Sequence, residues 1–207
     1  MTTEKTSKTE QELLEALKSE DMFIRREAAS NPNATPEVLL TALKDKDWRV
    51  RWNAAAHRNA TPQVLLAALE DKDKYVRCNA VNNFNATPEV LLRAIKDNDD
   101  WVRCGAAGNP NATPEILLIA IKDEDWKVRC NAAHNPNATP EILLIAIKNK
   151  DEYPCINAAG NPNATPEVLF LALKDKNVAV RETAKEAIEK NPLLSLQVAA
   201  LQAKTSS

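Results

Sequence analysis

The 207-residue chain contains three glycines, two histidines and nine aromatic residues, although 44% of it is hydrophobic. A dinucleotide-binding loop, a P-loop and a nucleophile elbow each need glycines at short fixed spacings, and Gly105, Gly108 and Gly160 build none of them. His57 and His134 lie in separate segments, which excludes a site with several histidine ligands. The charges nearly cancel: 27 Lys+Arg against 29 Asp+Glu leave a formal net charge of -2, so there is no global attraction for nucleic acid or anionic lipid. The polar start, Met1 to Lys8, lacks the apolar stretch of a signal peptide, and nowhere do about 18 apolar residues run together. The expectation is a cytoplasmic protein with reduced thiols, no membrane contact, no cofactor and no catalytic activity, acting through its surface.

What the chain has in abundance is self-similarity. Pro36, Pro62, Pro88, Pro114, Pro140 and Pro166 each follow a threonine and recur every 26 residues, and Pro192 keeps the phase behind Asn191. Thr9 to Leu14 holds the same phase without proline, giving about seven repeats plus a fragment. Each repeat reads as two short helices. In helix A, threonine is the N-cap, proline takes the first helical position and glutamate favours the positive end of the dipole. Helix B starts after Asp47, Asp73, Asp99, Asp125 or Asp151 and is expected to be a short α-helix or partly 3₁₀. Asn-Pro-Asn-Ala turns end it. The predicted organisation is a disordered 1–8, one solenoid over 9–202 with capping repeats at 9–34 and 178–202, and a disordered 203–207.

Aligning the repeats within the chain separates core from surface. The column of Leu13, Leu39, Leu65, Leu91, Leu117, Leu143 and Leu169 is invariant, and so is that of Ala28, Ala54, Ala80, Ala106, Ala132, Ala158 and Ala184. The first predicts core, the second a close approach of helices where only a methyl fits. Glu15, Thr41, Ala67, Arg93, Ile119, Ile145 and Leu171 share one column of mixed chemistry, which belongs outside the tight core.

The pattern Asn-Pro-Asn-Ala-Thr-Pro-Glu-Val-Leu-Leu-x-Ala-Leu-Lys-Asp-x-Asp-x-x-Val-Arg, over about residues 9 to 192, resembles the leucine-rich repeat variant, a relative of HEAT and armadillo repeats. The resemblance implies an all-α, right-handed solenoid of alternating α and 3₁₀ helices, in a superfamily that holds other macromolecules. One member of that family carries an iron–sulfur cluster in a separate cysteine-rich segment, and no segment of that composition occurs within these residues.

Cys78, Cys104 and Cys130 stand one repeat apart, roughly 8–10 Å by helix stacking, too far for a disulfide. Cys155 falls out of phase, in the arginine column, beside Pro154. These thiols read as small fillers. The Asn-Ala-Thr triplets match a glycosylation pattern, but their threonines are caps. Arg25, Arg51, Arg77, Arg103, Arg129 and Arg181 form a ladder four residues after the helix B caps. It reads as bracing, to the cap itself or across to the next repeat, with a phosphate-binding stripe as the alternative.

Phe23, Trp48, Tyr75, Trp101, Trp126 and Tyr153 all fall one or two places after the helix B cap, and Trp52 lies a turn further on. Either the rings cover the apolar edges of neighbouring repeats or they form a binding strip. Asn53, Asn79, Asn131 and Asn157 make a second column, interrupted by Gly105. They either brace adjacent repeats or hold an extended peptide in a manner similar to the armadillo groove. Trp48, Trp52, Asn53, Tyr75, Asn79, Trp101, Trp126, Asn131, Tyr153 and Asn157 are therefore the candidate binding residues, for a protein or extended peptide. The alternatives are a nucleic-acid-binding solenoid and an engineered repeat protein without a specific ligand.

Overall fold

A computed structural model describes residues 8–149 and 151–205. The segment expected to be disordered at the start lies, but for Lys8, outside these residues, as do Ser206 and Ser207. Among the described residues there are fifteen helices and no strand, and every helix is α-helical, with no 3₁₀ alternation. The A helices are α1 (Glu10–Ala16), α3 (Pro36–Ala42), α5 (Pro62–Ala68), α7 (Pro88–Ala94), α9 (Pro114–Ala120), α11 (Pro140–Asn149) and α13 (Pro166–Ala172). The B helices are α2 (Met22–Ala29), α4 (Trp48–Ala56), α6 (Lys74–Asn82), α8 (Asp100–Gly108), α10 (Trp126–His134), α12 (Glu152–Gly160) and α14 (Val178–Glu189). A last helix, α15 (Pro192–Thr205), carries regular structure into the segment expected to be a tail.

The helices group into two compact units, one up to Ala94 and the other from Ile95. In the first, α2, α4 and α6 pack side by side in one layer and α1, α3, α5 and α7 in another. In the second, α8, α10, α12 and α14 make the B layer, and α11, α13 and α15 pack in sequence in the A layer. The invariant leucines and alanines lie between the layers. Leu13, Leu39 and Leu65 are fully buried, as are Ala28, Ala54 and Ala80, and the same columns are buried in the second unit.

Local capping starts the helices as the residue types require. Thr35, Thr61, Thr113 and Thr165 accept the N–H three residues on, with proline at the first helical position, and Thr9 completes a capping box with Glu12. Asp21, Asp47, Asp73, Asp99 and Asp125 accept the N–H two residues on.

Between repeats, two sets of long-range bonds do the joining. All six ladder arginines donate Nη1 to the carbonyls six and five residues back, at 2.6–3.3 Å, in the loop behind helix A. In Arg25, Arg51, Arg103 and Arg129 the remaining donors cross to the next repeat rather than to the helix cap. Arg25 meets Asp45, Arg51 meets Asp71 and Arg103 meets Asp123, each through Nε and Nη2 on the two carboxylate oxygens. These pairs are at most 9% exposed. The second set comes from the turns. Asn83, Asn135 and Asn161 are buried, and each Nδ2 donates to two backbone carbonyls of the preceding repeat at 2.9–3.0 Å. Asn59, Asn85, Asn137 and Asn163 do the same from the other end of the turn. The Asn-Pro-Asn-Ala segment is thus a polar seam as well as a turn.

One rung is irregular. Asn149 stands in the column of Asp45, Asp71, Asp97, Asp123 and Asp175, and α11 runs on to Asn149, where most A helices stop after seven residues. Arg129 then takes Asp151, with Nη2 at 2.6 Å from Oδ2, and Asp151 makes no capping hydrogen bond. One carboxylate cannot fill both positions. Asn149→Asp is expected to draw Arg129 back to position 149 and release Asp151 to cap α12, raising stability by about 1 kcal/mol. A urea midpoint at or below that of the wild type would show that the irregular rung has settled into an equally good arrangement.

Candidate functional site

The candidate residues divide between the two units. In the first, the rings sit in the first turns of α2, α4 and α6, one or two residues after the capping aspartate. Phe23 and Tyr75 are exposed, and Trp48 is half-buried. The Trp48 and Tyr75 rings pack with centroids 5.9 Å apart and planes tilted by 37°. The Arg49 guanidinium lies 4.9 Å from the Trp48 centroid, and the Lys74 ammonium 5.9 Å from that of Tyr75. Trp52, one turn further along α4, is 39% exposed. Together Arg26, Trp48, Arg49, Trp52 and Tyr75 line a cleft of about 350 Å³.

In the second unit, Trp101 on α8, Trp126 on α10 and Tyr153 on α12 are 44–59% exposed. Trp126 and Tyr153 repeat the paired arrangement, 5.1 Å apart and tilted by 32°. Each pair covers an edge between neighbouring B helices, and a large ring area still faces outward.

The asparagine column lies inward of the rings. Asn53 donates Nδ2 to the carbonyl of Arg26 at 3.4 Å, Asn131 to that of Cys104 at 3.2 Å and Asn157 to that of Cys130 at 3.1 Å. Of the two readings given for this column, bracing thus holds for three of the four amides, which are committed to the preceding repeat and not to a peptide clamp. Asn79 differs: its Nδ2 is buried without an acceptor among the described residues.

The four cysteines are thiols rather than disulfides, and burial pushes those of Cys104 and Cys130 up to about 11, so little thiolate exists at neutral pH. Cys155 is buried in the arginine column and donates its thiol to the carbonyls of Ala146 and Ile147. Among the described residues no group of three or more His, Cys, Asp or Glu side chains is placed to hold a metal ion. The buried His57 is held below the ordinary histidine range by desolvation, and its Nε2 lies 2.9 Å from the Asn31 carbonyl. Two further grooves, of about 570 and 410 Å³, lie at the loops behind helix A, around Arg51 with Asp71 and around Lys174 with Asp175. Sequence reasoning passed over Arg26 and Arg49. The signal for Arg26 is its departure from a column that reads Arg26, Trp52, Cys78, Cys104, Cys130, Ile156, Glu182.

Paired α-helices at a 26-residue period, joined by an arginine–aspartate ladder and an asparagine seam, define an all-helical repeat protein. Its fold is that of a leucine-rich repeat variant. A solved structure described as a leucine-rich repeat variant with a novel repetitive structural motif aligns with a TM-score of 0.66 at 22% identity, covering 90% of this chain and 79% of the other. A crystal structure of an engineered protein aligns at 20% identity with a TM-score of 0.42, covering 90% and 96% of the two chains. No protein-family model matches the sequence, and no curated protein is similar to it. Among the described residues no helix is long and apolar enough to cross a membrane.

Proposed function

We propose that the chain is a non-catalytic, cytoplasmic repeat scaffold that binds a protein or extended peptide through the exposed edges of its B helices. The observation that carries this reading is the outward placement of the rings. Phe23, Tyr75, Trp101, Trp126 and Tyr153 are 44–68% exposed, in a protein whose core is built from leucine, valine, isoleucine and alanine. Rings of this size, held by short helices and stacked in pairs, offer rigid contact area with little side-chain entropy to lose on binding. A nucleic-acid surface has less support, because the buried arginines of the ladder are saturated by aspartates and backbone carbonyls.

Peptides selected by display against the full chain test the reading. Trp101→Ala is expected to weaken their binding by about 2 kcal/mol, near thirtyfold, while changing stability by no more than about 0.5 kcal/mol. Unchanged affinity in both Trp101→Ala and Tyr75→Ala would move the site elsewhere. Failure to select any peptide would favour a structural repeat protein without a ligand.

A further inference from the structure

We propose that the cleft between α2, α4 and α6 is a carboxylate-selective subsite, which takes an Asp or Glu side chain carried beside an apolar or aromatic residue of the partner peptide. The inference rests on the peptide-binding reading above. The repeats themselves supply the comparison. The ring pair Trp126 and Tyr153 of the second unit matches Trp48 and Tyr75 in phase, but Cys104 and Cys130 stand there in place of Arg26 and Trp52. In the first unit the ring pair is joined by a guanidinium and a third ring.

Arg26 is also an exception among the arginines. Its neighbour Arg25 is saturated by Asp45 and two carbonyls, whereas Nε of Arg26 is buried without an acceptor and its guanidinium makes no ion pair among the described residues. A buried donor left unpaired is costly, and a carboxylate is the acceptor whose two oxygens match the guanidinium fork. Arg49 adds a second positive charge at the rim. It is half-exposed and touches a carboxylate only at 3.7 Å, that of Asp47. The three rings give the flat apolar wall against which a neighbouring side chain packs. A cationic ligand would meet two guanidiniums. A run of phosphates would meet the cap carboxylates Asp47 and Asp73, which immediately precede Trp48 and Lys74. A single carboxylate fits between these limits.

The test is an array of short extended peptides probed with the full chain, each carrying Glu beside leucine or tryptophan and each paired with a Gln twin. Glu members are expected to bind about tenfold more tightly than their twins, the worth of one charge-assisted hydrogen bond. Arg26→Gln should erase that preference with an unchanged melting profile, and Trp126→Ala should leave it intact. Equal binding of the twins overturns the carboxylate subsite and leaves the peptide-binding reading standing. A preference that survives Arg26→Gln places the carboxylate elsewhere. No binding to any member overturns both readings, and displacement of the peptides by lower concentrations of oligo(dT) assigns the cleft to single-stranded nucleic acid.

Discussion

Arg51→Ala is expected to lower stability by about 3 kcal/mol, the lower end of what breaking a buried ion pair costs, because the pair forms the floor of an open groove. The side chains of Arg51 and Asp71 are each 6% exposed, and two parallel bonds join them. Removing the guanidinium leaves the Asp71 carboxylate desolvated and the carbonyls of Asp45 and Lys46 without the donor they share. The hydrogen bonds to Asp71 hold the arginine above its ordinary pKa. Arg51→Met with Asp71→Asn should recover most of the loss, since the asparagine oxygen can still accept the Asp73 N–H while no charge is left unpaired. Lys18→Ala, which breaks an exposed pair with Glu15, should have no measurable effect. Urea unfolding of the four proteins decides it. An Arg51→Ala midpoint close to that of Lys18→Ala would remove the ladder from the account of stability.

Asn135→Ala should destabilise the protein by a similar amount, roughly 3 kcal/mol, although asparagine in a turn is ordinarily replaceable. This side chain is 2% exposed and makes three bonds: Nδ2 donates to the carbonyls of Ala107 and Asn109, and Oδ1 accepts the N–H of Asn137. At about 1 kcal/mol each, their loss strands two carbonyls and one N–H inside the seam. Asn135→Asp keeps the acceptor but turns a carboxylate toward two carbonyls. The protonated acid can donate there and the ionised form cannot, so the folded-state pKa lies above the unfolded value near 4. The defect of Asn135→Asp should therefore grow as pH rises above about 4 and level off above the folded pKa. A defect in Asn135→Ala no larger than that of an exposed turn substitution would show that water replaces the amide.

Much of this fold is legible in the residues because its instructions are local and repeated. Thr-Pro-Glu at Thr35, the aspartate at Asp47 and the leucine at Leu39 act within one or two turns, and their recurrence averages out the noise of any single repeat. The position of the rings was legible for the same reason. Partners a full repeat away were harder to read. Arg51 can reach its own cap or Asp71, and only the stacking of α4 against α6 selects the latter. Asn131 on paper suits a peptide backbone as well as the carbonyl of Cys104, and the depth of its side chain between α8 and α10 decides for the brace. Arg26 carried only the signal of its odd place in a mixed column, since an arginine on a short amphipathic helix is ordinary until three rings from two other helices are found around it.

By itself the sequence determined the period, the pairing of short helices, the caps that start them, and the leucine and alanine columns of the core, because hydrogen bonding and burial at those positions depend on neighbours only a few residues away. The scarcity of glycine and histidine likewise followed its own logic, with threonine, proline and asparagine shaping the turns. Tertiary structure alone decided which carboxylate Arg25, Arg51, Arg103 and Arg129 meet, that Asn53, Asn131 and Asn157 brace the preceding repeat, that the irregular rung at Asn149 transfers Arg129 to Asp151, and that two arginines and three rings converge in one cleft. These are contacts about one repeat or more apart in sequence, and their geometry is set by the distance and rotation between stacked helices, a quantity that no single repeat contains.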